Sequence, residues 1–165
     1  MRRRMFLAGV GSSSIVGLSG CAALSDDKEK EEELVENYST ALDLFEEGFD
    51  ALKTGRDYMQ DLEHREAEIW FNQADNTVDD GQEVWDDMTE LAAEAGVSQD
   101  DFRQMLDLES ARMALGSAVA SHKSAVQNTD DGEELPPYTE ELATEDYVEV
   151  QEVNYLSVNE VKDLL

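Results

Sequence analysis

Beyond its carboxylates, this chain offers few side chains that could do chemistry: one cysteine, Cys21, and two histidines, His64 and His122. A lone cysteine excludes an intramolecular disulfide and a thiolate metal cluster, since both need partners. Asp61-Leu62-Glu63-His64 puts an acid three residues before a histidine. Di-iron bundles use two Glu-x-x-His elements with two further glutamates. Here the acid is Asp61, and His122 has Val119 at the matching place, so the pairing fails. His64 and Glu68, four apart, would supply two ligands where zinc sites use three or four. Ser117 and Ser121 lie near His122 in sequence. On one helix, however, neighbouring residues point in different directions, so no nucleophile and base are set up.

Two acidic glycine segments, Asp79-Asp80-Gly81 and Asp130-Asp131-Gly132, invite a calcium reading. With Gly81 at position six of an EF-hand loop, position three is Val78, which cannot ligate. With Gly132 there, position one is Gln127 and position twelve is Tyr138, so that loop fails too. Loose cation binding by these turns is what remains. Catalytic carboxylate pairs need surroundings that separate their pKa values, and acids on exposed helix faces lack them. After residue 20 the chain has no Gly-rich phosphate loop and no Gly-x-Ser-x-Gly elbow. The expectation is therefore no catalytic residue, no metal site and no cofactor.

Cys21 is explained by what precedes it. Arg2-Arg3-Arg4 forms a basic start, followed by a weakly apolar stretch from Ala8 to Leu18 interrupted by glycines and serines. That stretch is too short and too polar to span about 30 Å of hydrocarbon, which takes about 20 apolar residues. It reads as a signal peptide over residues 1–20. Arg3-Arg4-Met5-Phe6-Leu7 resembles the twin-arginine export motif, through Arg3, Arg4, Phe6 and Leu7. Leu18-Ser19-Gly20-Cys21 resembles a lipobox. Together these resemble the leaders of halophilic archaeal lipoproteins. The resemblance implies export in the folded state, a thioether-linked lipid on Cys21, and a lipid-anchored protein on the extracytoplasmic face of the cell membrane. Each buried CH₂ contributes about 0.8 kcal/mol, so two long chains would anchor the protein firmly.

Charge limits the partners. Twelve basic residues stand against forty acidic ones, for a net −28. Three of the basic residues and none of the acids lie in the first twenty positions, so the other 145 residues carry −31. Such a surface repels phosphate backbones and excludes nucleic acid. Disorder and life in strong brine both fit this composition. The acids alternate with periodic apolar positions throughout the chain after the leader, which favours a folded halophilic protein.

The elements follow from that periodicity. Residues 21–33 are the lipidated cysteine and an acidic spacer, a solvated tether or the exposed first turns of a helix. Leu34 to Lys53 is a helix ended by Gly55. A second stripe from Asp57 to Ala95 runs through Ile69, Trp70, Val78 and Trp85, and is one helix with a soft centre or two helices. Gly96 ends it, and Ser98, with Asp101 three residues on, caps a third helix to about Gln127. Asn128 to Pro137 reads as a linker. Tyr138 to Leu156 fits a poor helix or a short strand, and Ser157 with Glu160 caps a last short helix ending at Leu165. The architecture expected is all-α: an antiparallel bundle of three amphipathic helices over residues 34–127. Residues 128–165 are a Pro-containing linker and a partly ordered tail, or a fourth element packed across the bundle. Phe45, Phe49, Trp70, Trp85 and Phe102 are the expected core.

The role expected is a non-catalytic interaction or accessory module at the cell envelope, meeting an envelope protein through the tail after Pro137. The alternative is an extracytoplasmic protein that binds a small ligand or a cation. A third is an enzyme of a type that leaves no short motif.

Overall fold

The computed structural model describes residues 19–165 and forms them into five helices, with no strand among the described residues. These are α1 (Ser19–Gln60), α2 (His64–Ala95), α3 (Gln99–Gln127), α4 (Pro137–Glu152) and α5 (Val158–Leu164). The export-motif residues Arg3, Arg4, Phe6 and Leu7 and the lipobox residue Leu18 lie outside the described residues. Ser19, Gly20 and Cys21 fall in the first turn of α1.

Buried positions in α1 follow a four–three spacing, with Ala51 buried beside it: Leu34, Tyr38, Ala41 and Phe45, then Gly48, Leu52, Gly55 and Met59. Helix α2 repeats it with His64, Ala67, Phe71 and Ala74, then Val78, Gly81, Trp85, Met88 and Ala92. A mean spacing of 3.5 residues is the seam of a left-handed supercoil. The pairing is antiparallel: Lys30 meets Glu94, Gly48 meets Thr77, and Gly55 meets Phe71. Small residues on both helices let the backbones approach closely. A Cβ added at Gly55 would lie 2.6 Å from Phe71 Cδ1, and one at Gly48 would press on Thr77 of α2 and lie 3.0 Å from Leu115 Cδ2 of α3.

Gly55 therefore does not end the first helix, contrary to expectation. It is a contact point inside α1, which continues to Gln60 because Phe71 needs the room. The turn falls instead at residues 61–63, where Leu62 takes φ 63°. Residues 64–95 are one helix. The polar stretch from Asn72 to Gly81 stays helical because Ala74, Thr77, Val78 and Gly81 occupy its inner face. The core also differs from expectation. Phe45 and Trp85 are buried, but Phe49, Trp70 and Phe102 are only half-buried at its margin. Ile69, expected inside, is 59% exposed, while Tyr38 and Phe71 are fully buried. In α3, Met113 likewise faces solvent, and Met105, Leu108 and Leu115 face the core.

Ends and caps agree closely with the local pattern. Gly96 closes α2 at φ 71°, its N–H donating to Ala92 O. Ser98 Oγ accepts the Asp101 N–H at 3.1 Å and donates to Asp101 Oδ2 at 2.6 Å. At α5 the capping box is complete, because the longer Glu160 reaches back to the Ser157 N–H at 2.8 Å. These bonds also hold the Glu160 carboxyl below its ordinary range.

The chain after Pro137 forms the fourth member of the bundle. Residues 137–152 are helical, which resolves the helix-or-strand ambiguity. Tyr147 lies between Phe49 and Arg56, seven residues apart on α1. Its ring is 5.6 Å from that of Phe49, and the Arg56 guanidinium carbon stands 3.6 Å from its centroid. Tyr155 meets Phe45 edge-on at 5.2 Å. The fully buried Tyr38 donates its hydroxyl to Leu156 O at 2.8 Å. Burial, with Tyr155, Asp107 and Glu160 nearby, pushes its phenol up to about 12.

Helix propensity alone would favour Gly55→Ala by about 1 kcal/mol. Overpacking against a fully buried ring costs about 1–3 kcal/mol and should prevail. Thermal unfolding should therefore show a lower melting temperature for Gly55→Ala, recovered in Gly55→Ala/Phe71→Leu; an unchanged midpoint in the single variant would contradict the close seam.

Candidate interaction site

The residues singled out for chemistry are employed in the fold. His64 opens α2, one residue beyond the turn that holds Asp61, so the acid and the histidine do not share a helix. Its imidazole is 2% exposed, and Nε2–H donates to Glu133 O at 2.7 Å. Glu68 accepts instead from Gln127 Nε2 at 3.1 Å. The Asp130-Asp131-Gly132 segment docks on the same corner. Asp131 Oδ1 accepts the Arg65 N–H at 2.9 Å, and its other oxygen lies 3.4 Å from Arg65 Nε. Gly132, at φ 84°, donates its N–H to Leu62 O at 2.8 Å. Asp131 thus caps α2 from a distant segment, a task for which Glu63 makes no side-chain bond. Asp79 and Asp80 sit on the exposed face of α2 in helical backbone, so that segment is no turn. Among the described residues, no group of three or more His, Cys, Asp or Glu could hold a metal ion.

His122 is fully buried among α1, α2 and α4. Nδ1–H donates to Ala118 O at 2.7 Å, which fixes the tautomer and leaves the Nε2 lone pair buried without a partner. The Phe71 ring lies 5.3 Å away. Burial pushes the imidazole down to about 4; Arg56 on α1 adds to this, while Asp146 on α4 and the Ala118 bond oppose it. Ser121 donates to Asp146, not to His122, so the neighbouring serine and histidine serve different contacts. The cluster is a structural joint between helices.

What the fold leaves open is surface relief at its two ends. At one, a groove of about 600 Å³ runs between the early turns of α1 and α5, past Lys28, Val35, Val158, Lys162 and Leu165. At the other, the α1–α2 turn and the start of α4 enclose a groove of about 420 Å³. Met59, Leu62, Leu135 and Pro137 form its apolar walls, and Glu134 and Glu140 stand at it. Tyr138 and Leu142 are exposed on α4, at 76% and 40%, and Tyr138 directly follows the groove residue Pro137 in the chain. The Pro136-Pro137-Tyr138 run was legible as a chain break, but its nearness to Met59 and Leu62 was not, since two whole helices, α2 and α3, intervene.

No described helix is long and apolar enough to cross a membrane. Comparisons with known protein families, with curated proteins and with solved structures returned no match for this chain.

Because the folded His122 titrates near 4 and its unfolded counterpart near 6.5, its contribution to stability is complete above pH 6.5 and lost as pH falls toward 4. The unfolding free energy of the protein relative to His122→Leu should be level above that window. Across it the histidine protein should lose about 3 kcal/mol relative to the variant. A pH-independent difference would rule out a buried neutral imidazole.

Proposed function

We propose that this chain is an exported lipoprotein, held to the extracytoplasmic face of the cell membrane by a lipid on Cys21. There it works as a non-catalytic interaction or accessory module of the envelope. The order of the leader carries the address: Arg3-Arg4 with Phe6-Leu7, a weakly apolar stretch, then Leu18-Ser19-Gly20-Cys21. The disposition of functional groups supports the role. Both histidines are spent in the core, and Arg56, Arg65, Arg112 and Lys123 are spent on contacts between elements. The outward faces carry mainly carboxylates and a few apolar side chains.

Helix α1 has 42 residues and is about 63 Å long at about 1.5 Å per residue. With the lipid in its first turn, it would hold the α1–α2 turn well away from the bilayer. The acidic faces suit strong brine, where the Debye length falls to about 3 Å at 1 M and self-repulsion is screened.

Cys21→Ser should move the protein from the membrane fraction to the medium, and retention in membranes would sink the anchoring. The mature domain should keep its helical circular dichroism in strong KCl and lose it at about 50 mM salt. Helicity that persists at low salt would count against the halophilic reading.

A further inference from the structure

We propose that the end of the bundle formed by the α1–α2 turn and the start of α4 docks a basic, apolar segment of a partner protein. A large apolar side chain enters the groove, and flanking Lys or Arg residues meet Glu134 and Glu140. This inference rests on the interaction-module reading and supplies its surface and the chemistry of its partner.

The groove is both apolar and acidic, and each property selects. Met59, Leu62, Leu135 and Pro137 offer surface that gains only from covering by another apolar group. Glu134 and Glu140 are exposed and make no ion pair or side-chain hydrogen bond among the described residues. A shallower trough of about 320 Å³ continues along α4 past Glu141 and Glu145. The nearby cation, Arg65, is committed to Asp131. An acidic segment is therefore repelled, and a free cation gains nothing from the apolar walls. A segment carrying both features satisfies both.

Two further observations concern the groove residue Leu62 and the residue that follows Pro137. Tyr138, at 76%, is the most exposed large hydrophobic residue described, and Leu142 follows one turn later on α4. Leu62 adopts φ 63°, in the left-handed region, which costs a branched residue about 1–2 kcal/mol. Such strain persists where neighbours hold it, and it concentrates at binding sites. Here the Gly132 N–H holds the Leu62 carbonyl, while Asp131 and His64 fix the linker. The groove is preformed, so little ordering entropy is lost when a segment enters.

The test uses the full lipidated chain in intact membranes, with the photo-crosslinker p-benzoylphenylalanine at position 138. Controls carry it at positions 69 and 113, whose native Ile69 and Met113 are also well exposed. Capture from position 138 should exceed capture from either control. The captured segment should carry an apolar residue flanked by Lys or Arg. Glu134→Gln/Glu140→Gln should lower the yield about tenfold, the equivalent of 1.4 kcal/mol. All altered side chains are exposed, and circular dichroism checks that each variant folds. Capture at equal or greater yield from position 69 or 113 overturns the docking surface and leaves the interaction-module reading standing. No capture from any of the three positions overturns both. A captured segment without basic residues, or a yield that charge neutralisation leaves unchanged, overturns the partner chemistry proposed here.

Discussion

The closeness of α1 and α2 rests on residues that have almost no side chain. Gly48 and Gly55 on one helix face Thr77 and Phe71 on the other, and Ala41, Ala67 and Ala74 continue the seam. Close approach lets a fully buried Phe71 ring fill the space over Gly55, and dispersion at such distances is gained across the whole contact. The same ring packs against His122, so the α1–α2 seam also sets where α3 lies. Helix α4 attaches differently. It packs along α3, where Ser121 meets Asp146, and its Tyr147 reaches Phe49 and Arg56 of α1 by stacking and cation–π contact.

Electrostatics follows this packing. With so few cations among forty acids, where each cation goes matters. Arg112 reaches across the α2–α3 seam to Val78 O and Gln82 while pairing with Glu109, and Lys123 reaches Asp75. Lys30 pairs with Glu94 between α1 and α2. Arg112 and Glu109 are mostly buried, whereas the carboxylates of the other two pairs are well exposed, so those two contribute modestly. Lys30, Arg112 and Lys123 each tie one helix to the next, Lys30 joining α1 to α2 and the other two joining α2 to α3. The outer faces keep the excess negative charge, which only screening or a cationic partner can offset.

Holding the α1–α2 turn against the linker before α4 brings distant parts of the chain into one rigid corner. Asp131 caps α2, Gly132 binds the strained Leu62 carbonyl, and His64 binds Glu133 O. The segment after Pro137 is thus a bundle member and not a loose tail, and the apolar relief beside it is a fixed shape. That rigidity separates this corner from the solvated acidic faces elsewhere.

The amino-acid pattern by itself determined what depends on neighbours within a turn or two. The all-α class, the Gly96 stop, the Ser98 cap and the Ser157–Glu160 box are local arrangements of backbone donors and acceptors, and they stand in the structure where the spacing puts them. Tertiary structure decided everything that depends on a facing surface. Gly55 reads as a helix end until Phe71 is seen to need its missing Cβ. Ile69, Trp70 and Phe71 are equally apolar in sequence, and only the 3.5-residue seam selects Phe71 for the interior. Alanine and glycine at alternate seam positions hid that repeat from a search for large apolar residues. Residues 138–156 had no clear period of their own because their partners lie on α3 and, through Phe45, Phe49 and Arg56, on distant α1. A local pattern records which face is apolar; only the packed neighbour records how close it must come and which side chain fills the gap.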